Sequence, residues 1–460
     1  MEKQAFYHAL QVNEDHCIGC SHCMKVCPTE AIRVRDGKAK IFENRCIDCG
    51  KCFKVCPTKG IFIKQDDFDD IFNYKCRVAL IPSVFLGQFP NEINVSRIYS
   101  ILKDIGFNHV FETESTIPIY TAAKNKYADE YEGELPLIST YCPAIVRLIQ
   151  VKFPSLVRQL IPIKPPIDIT SLYVRRKLRK EENLQDHEIG LFYITPCAAK
   201  IAAVKSPVGD ERSPVDGVIN MDSLYNRVYK KIKEQGMNFQ VPKLPIPQLS
   251  SDSILSSLSN GERRLSRAKH SLAIDEIENV IEFLEKVEND EIEGIEFLEL
   301  RACDQSCAGG ILACDNRFLM CERMYSRARY VAERERSGVQ TREHEVNSEK
   351  SFLNRHIAVA GEIKPRSMLV LDEDIAKALE KMKKINELKG RLPQTDCGFC
   401  GAPSCNALAE DIVRQDAELT DCVFIQRNLE ARRCMDVSES LKIMEYIWGQ
   451  EKMNDFINNK

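Results

Sequence analysis

Two stretches of this sequence carry cysteines at a spacing suited to one kind of chemistry. Cys17-Ile-Gly-Cys20-Ser-His-Cys23-Met-Lys-Val-Cys27-Pro28 is followed by Cys46-Ile-Asp-Cys49-Gly-Lys-Cys52-Phe-Lys-Val-Cys56-Pro57. Three closely spaced thiolates on a tight loop reach three irons of a [4Fe–4S] cubane, and the fourth thiolate, ahead of proline, serves the cluster of the other repeat. The spacing assigns Cys17, Cys20, Cys23 and Cys56 to one cluster, and Cys46, Cys49, Cys52 and Cys27 to a second. Zinc sites use paired C-x2-C units, not two triplets each closed by Cys-Pro. A repeat of this kind marks one supersecondary unit used twice.

A third group lies near the C-terminus: Cys397-Gly-Phe-Cys400-Gly-Ala-Pro-Ser-Cys405, then Cys422. Its glycines free the backbone to wrap tightly. A helix expected over 406–420, with Leu408, Ile412, Val413 and Leu419 on its apolar positions, returns the chain to Cys422. Four thiolates fit one [4Fe–4S] cluster or one structural zinc. The two N-terminal stretches together resemble a bacterial two-cluster ferredoxin. The C-terminal group is similar to a small iron–sulfur domain of anaerobic redox proteins.

The region between must position whatever chemistry it holds on α/β elements. Apolar runs over 78–86, 135–138, 190–194 and 295–300 read as buried strands, and helical periodicity falls over 96–105, 144–151, 221–232 and 274–287. Such alternation predicts parallel sheets, whose reactive groups lie beyond the carboxyl ends of the strands. Three of these strands lead into cysteine: Cys142-Pro143, Cys197-Ala-Ala-Lys200, and Cys303-Asp-Gln-Ser-Cys307-Ala-Gly-Gly310. Free cysteine is often simply buried, but three strand-end placements favour four thiols converging on one face.

These three segments resemble the signature loops of the [FeFe]-hydrogenase catalytic domain: T-S-C-C-P, M-P-C-x-x-K and E-x-M-x-C-x3-C-x-G-G. Val78-Ala-Leu-Ile-Pro-Ser-Val84 and Val215-Asp-Gly-Val-Ile219 add to the likeness. It covers residues 1 to about 325. The resemblance implies a two-lobed core with twisted, mainly parallel sheets, an N-terminal α+β ferredoxin domain and a small C-terminal iron–sulfur domain. It implies that Cys142, Cys197, Cys303 and Cys307 ligate a [4Fe–4S] cluster. Cys307 would bridge to a diiron subcluster carrying CO, cyanide and a dithiolate, and Lys200 would donate to a cyanide. Its substrates would be H2 and protons, and the diiron unit would need separate maturation proteins.

Departures from that pattern carry equal weight. The family's proton-relay thiol precedes the first ligand cysteine, where this chain has Tyr141. Tyrosine, with a pKa near 10, is a poor shuttle at neutral pH. The family methionines become Thr195 and Arg301, and the relay segment aligns with residues 117–124, which contain no carboxylate. The pattern resembles the sensory branch of the family. Three functions follow: a slow, sensory H2-reacting protein; a fast metabolic hydrogenase with another proton path, through Tyr141 or Glu299; and an iron–sulfur carrier or scaffold without the diiron unit.

The 460 residues hold 20 cysteines, 64 basic and 68 acidic side chains, and a net charge of −4, which disfavours nucleic-acid binding. No apolar run approaches the roughly 20 residues of a membrane helix, and no signal-peptide pattern opens the chain. Cysteines in a cytoplasmic protein are metal or redox ligands rather than disulfides. The expected domains are 1–75, 76–385 (ending in a linker helix, 373–389) and 386–460. Cys76, Cys314, Cys321 and Cys434 are left as thiols outside any cluster. The charge run 175–182 reads as a solvated helix face and 323–342 as an exposed helix and loop. An electron-transfer or signalling partner is implied but not identified, and a homodimer is left open.

Overall fold

A computed structural model describes residues 6–236, 249–337, 341–366, 371–372 and 374–458. The chain divides into two compact units. One holds Gln65–Pro365 with the described residues up to Ala9, and the other holds Leu10–Lys64 and Arg366–Lys460. The N- and C-terminal cysteine groups therefore share a unit.

The larger unit is built on two parallel sheets, as the strand–helix alternation predicts. The first orders His109–Glu112, Cys76–Ile81, Ile189–Thr195 and Gly217–Asn220, with Val78 opposite His109 and Phe192 opposite Gly217. All seven residues of Ile189–Thr195 are buried, which is why that strand is an almost unbroken apolar run. The second sheet orders Ser271–Ile274, Phe297–Leu300 and Leu137–Ile138. Helices Val95–Asp104, Pro143–Lys152, Met221–Gln235 and Ile277–Glu288 lie close to the expected spans.

Several elements depart from the sequence expectation. The run at 78–86 is not one strand: it stops at Ile81, and Pro82 turns the chain into the helix Ser83–Gly87. Proline cannot continue the ladder but fits a helix start. The strand Ser271–Ile274 was not expected; it takes Ile274 from the helix expected over 274–287, which begins only at Ile277. The helix Arg317–Arg336 is not merely exposed, because Met324, Ala328 and Val331 are buried. On the helix Pro166–Glu181, Arg175 and Arg176 pair with Asp216 and Glu349 at 2.6 and 2.5 Å, so the charge run is largely neutralised within the unit. Among the described residues no helix is long and apolar enough to cross a membrane.

In the smaller unit, antiparallel pairs Leu10–Val12 with Ile61–Ile63 and Ile32–Arg35 with Lys38–Ile41 frame the two cysteine repeats. The helix Ile375–Arg391, expected as a linker, buries Ile385 and Leu388 in one core with Leu408 and Cys405. The helix expected over 406–420 runs only from Cys405 to Val413. It breaks where Gln415 adopts φ 67°, and a short turn, Leu419–Asp421, delivers Cys422. Arg33 forks onto Asp411 at 2.6 and 3.0 Å, with both side chains almost fully buried. Arg45 pairs with Glu410, and the Val34 amide donates to the Gly401 carbonyl at 2.9 Å.

Candidate active site and metal centres

The repeats bring their thiols together in crossed sets. Cys23 is pushed up to about 12 by burial and by the neighbouring Cys20, Cys17 and Cys56. Cys49 reaches about 12 through burial and Cys27. Cys27, Cys46, Cys49 and Cys52 line one small cavity, and Cys397, Cys400, Cys405 and Cys422 line another. Buried thiols that raise one another's pKa are poor company unless a cation joins them, and a coordinating metal deprotonates a thiol outright. Among the described residues no three of the C-terminal sulfurs lie all within 4.8 Å of one another. A tetrahedral zinc with Zn–S near 2.3 Å would draw them to roughly 3.8 Å, so the donor set fits the wider [4Fe–4S] cubane better.

In the larger unit, each strand-end cysteine sits where the backbone leaves its sheet. Cys142 caps the helix Pro143–Lys152, and Cys197 caps Ala198–Lys205. Cys307 lies in a tight turn, Ser306–Gly309, entered through Gln305 and Ser306 at φ 61° and 53°. A Cβ on Gly309 would stand 1.8 Å from the Asp304 carbonyl, so only glycine closes this turn. The Leu312 amide donates to Pro196 at 3.0 Å, joining the second and third loops. Cys197, pushed up to about 12 by burial, also feels Cys307 and Cys142, so three thiols from three loops face one another. Cys303 lies in the same loop as Cys307 and is likewise part-exposed.

Lys200 reaches into this group and donates to Cys307 Sγ at 3.5 Å. Burial opposes its charge, but Cys307, Tyr193 and Tyr141 outweigh burial and hold the ammonium well above its usual range. Among the described residues it forms no ion pair with a carboxylate within 4.0 Å. One of its three N–H groups is used, which leaves donors for an anionic ligand. That is the property a cyanide-bearing diiron group requires, and the donor set fits it.

Tyr141 is buried in the same wall. The Arg301 guanidinium stacks 3.8 Å from its ring centroid, and Lys200 Nζ lies 5.4 Å away. Burial, then the charge of Glu114, holds its hydroxyl far above its usual range. Thr195 folds back, its hydroxyl donating to the Cys197 carbonyl at 2.9 Å.

Sequence reasoning missed Glu262, which lies behind Tyr141. Its carboxylate accepts from Arg301 at 2.8 Å, Tyr120 at 2.8 Å, Ser139 at 2.7 Å and Lys124 at 3.5 Å. Burial alone would raise its pKa, but Lys124 and Arg301 prevail and keep it below the usual carboxylate range. Glu299 accepts the amides of Glu262 and Arg263 at 3.0 and 2.8 Å and faces Arg301 at 3.5 Å. It therefore braces the network rather than meeting Tyr141. The available signal was Arg301 itself, since a cation in place of an apolar residue inside a core needs a carboxylate.

Of the leftover cysteines, Cys76 and Cys321 are buried and Cys314 and Cys434 exposed. Cys76 shares a 4.8 Å neighbourhood with His109 and Glu182, the latter two paired at 2.8 Å.

Residues 76–263 match the family described as iron only hydrogenase large subunit, C-terminal domain. Residues 9–58 match the 4Fe-4S dicluster domain, and 392–424 match an Fe-S cluster family. The first match ends before Cys303 and Cys307. MJ0119, an uncharacterised protein of Methanocaldococcus jannaschii, is 36% identical over 72 residues, 16% of this chain and 32% of that protein. The chain thus spans about a third of that curated relative. Two variant structures of the [FeFe]-hydrogenase HydA1 from Chlamydomonas reinhardtii are similar at 14% and 15% identity, each with TM-score 0.48, covering 66% of this chain and 97% of theirs. A HydA structure on stepwise [FeFe]-hydrogenase H-cluster assembly is 14% identical, with TM-score 0.47 over 64% of this chain and 97% of that one.

Proposed function

We propose that this [FeFe]-hydrogenase-like chain, with iron–sulfur domains at both ends, reacts slowly with H2 and serves as an H2 or redox sensor. Electrons would pass along four [4Fe–4S] clusters. Cys17, Cys20, Cys23 and Cys56 would hold the first, Cys27, Cys46, Cys49 and Cys52 the second, Cys142, Cys197, Cys303 and Cys307 the third, and Cys397, Cys400, Cys405 and Cys422 the last. When bound through Cys307, the diiron group supplies the iron at which H2 is split or formed. Lys200 would help hold it by donating to an anionic ligand. The wall formed by Tyr141, Tyr193 and Arg301 limits water around Lys200.

The observation that carries the slow, sensory reading is Tyr141. It occupies the place of the family's proton-carrying thiol, is clamped by Arg301, and keeps its proton at neutral pH. Positioned acid–base groups contribute about 10²–10⁴ in rate, so losing one implies slow turnover. The signal would pass to another protein by electron transfer or by a conformational change.

One observation favours a second reading, a faster hydrogenase. Glu262 is a buried carboxylate reached from Tyr141 through Arg301, and it touches Tyr120 and Ser139. Turnover separates the two: a rate comparable with metabolic hydrogenases would overturn the sensory assignment. Infrared spectra after anaerobic maturation test the diiron unit itself. CO and CN stretches that respond to H2 support the reading, and their complete absence leaves the carrier or scaffold function.

A further inference from the structure

We propose that Glu114, Ser83 and Glu112 form a proton relay joining the Lys200–Tyr141 pocket to the cavity beside Arg327. Its use in turnover rests on the H2-reacting function above; the position of its resting proton does not.

The argument begins with one hydroxyl. Ser83, the first residue of the helix after Pro82, is fully buried. Its Oγ lies 3.2 Å from Glu114 Oε2 and 3.2 Å from Glu112 Oε2. Its amide also donates to Glu114 Oε2 at 3.0 Å, and so does the Thr113 hydroxyl, at 3.0 Å. A serine hydroxyl carries one hydrogen, so it cannot serve both carboxylates at once. Two buried like charges bridged this way do not both ionise.

The neighbours decide which one stays charged. Arg327 forks onto Glu112 at 2.7 and 2.8 Å, Arg342 adds a second positive charge, and Tyr99 lies 3.4 Å from Glu112 Oε1. Among the described residues Glu114 forms no ion pair within 4.0 Å; Lys200 acts on it only through space, and its own charge is felt by Tyr141, Tyr193 and Arg327. Glu114 therefore holds the proton at rest. Burial and the Glu112 charge push it up to about 7, a value suited to exchange near neutral pH.

The step balances without any redox partner. The Glu114 carboxyl turns its O–H onto Ser83 Oγ, the Ser83 hydrogen passes to Glu112 Oε2, and one proton has moved. The new Glu114 charge then faces Lys200. Glu112 passes its proton on to water next to Arg327, which lines a cavity of about 770 Å³ with Arg323 and Tyr330.

Infrared spectroscopy of the full chain, carrying its iron–sulfur clusters but no diiron unit, tests the resting proton. A protonated-carboxyl C=O band is expected that titrates near neutral pH and disappears in Glu114→Gln. No such band in the unmutated chain, or a band that survives in Glu114→Gln and vanishes in Glu112→Gln, overturns the proposal. In the diiron-loaded protein, H2/D2O exchange should slow by about 10²-fold or more in Ser83→Ala and lose its inflection near pH 7, at unchanged iron content. Exchange and pH profile both unaltered in Ser83→Ala overturn the relay. A chain that has the Glu114 band but never reacts with H2 overturns the functional reading and leaves the proton placement standing.

Discussion

The Arg301 guanidinium covers the Tyr141 ring at 3.8 Å while its Nη2 donates to Glu262 at 2.8 Å. One cation thus fixes the Tyr141 ring and ties it to a buried carboxylate. Arg301, Lys124, Glu262 and Glu299 are all essentially inaccessible, so two positive and two negative charges balance inside the core.

That balance makes Arg301→Met costly. It leaves two buried carboxylates facing Lys124 alone, and breaking a buried ion pair by removing one partner destabilises by about 3–5 kcal/mol. Anaerobic denaturant unfolding should register the loss, and Arg301→Met/Glu262→Gln should recover part of it. A single variant as stable as the parent would show that the network does not hold this wall together.

Tyr141→Cys restores a thiol at the relay position, with a pKa nearer neutrality than a phenol. H2 evolution by the diiron-loaded protein should rise at least about 10-fold, the lower part of what a positioned acid–base group contributes. An unchanged rate means that Tyr141 does not limit turnover.

Asp168 gives a pH prediction remote from the metal sites. Burial, opposed by a hydrogen bond from Ser213 at 3.1 Å, pushes its carboxyl up to about 6. The unfolded chain releases this proton near pH 4, whereas the folded protein keeps it to about pH 6. Across that window the folded state binds more protons, so stability falls as pH rises, and it levels off above. Asp168→Asn should remove a penalty of about 2–3 kcal/mol at pH 8 and change little at pH 4. Thermal melts at the two pH values check the difference, and equal effects at both would contradict it.

Arg33 and Asp411 form the fork that joins the N- and C-terminal segments of the smaller unit. Arg33→Leu leaves Asp411 paired with Arg35 alone, at 3.2 Å, and should destabilise this unit by about 1.5–3 kcal/mol through the lost charged hydrogen bonds. Arg33→Lys should fail to restore it fully, because an ammonium cannot reproduce the planar fork. Limited proteolysis within residues 374–454 provides the readout, with faster cleavage expected in both variants.

Cys405→Ala should lower iron by about 4 per chain and leave the other clusters intact by electron paramagnetic resonance. Loss of one zinc with unchanged iron would instead identify a zinc site at Cys397, Cys400, Cys405 and Cys422.

Cysteine chemistry was legible in the linear order because its spacing is local. Cys17–Cys27 and Cys46–Cys56 each gather their thiols in one short loop-and-helix segment, and the strand ends before Cys142, Cys197 and Cys303 are marked by apolar runs and Pro or Gly. The helix ending at Val413 and the strand–proline–helix at 76–87 were less legible, because continuous apolar runs do not reveal where the backbone turns. Arg327 read as part of an exposed helix and loop, although its partner, Glu112, lies 215 positions away in sequence.

By itself, the sequence determined the iron–sulfur and hydrogenase-like character of the chain and singled out the candidate thiols and Tyr141, since these depend on residue type and on spacings of a few positions. Only the tertiary structure decided what surrounds Tyr141 and Glu114. Arg301, Glu262, Ser83 and Arg327 come from separate elements, and buried charges are settled by neighbours within a few ångströms in space. The same holds for the smaller unit, in which Arg33 meets Asp411 across 378 positions of chain.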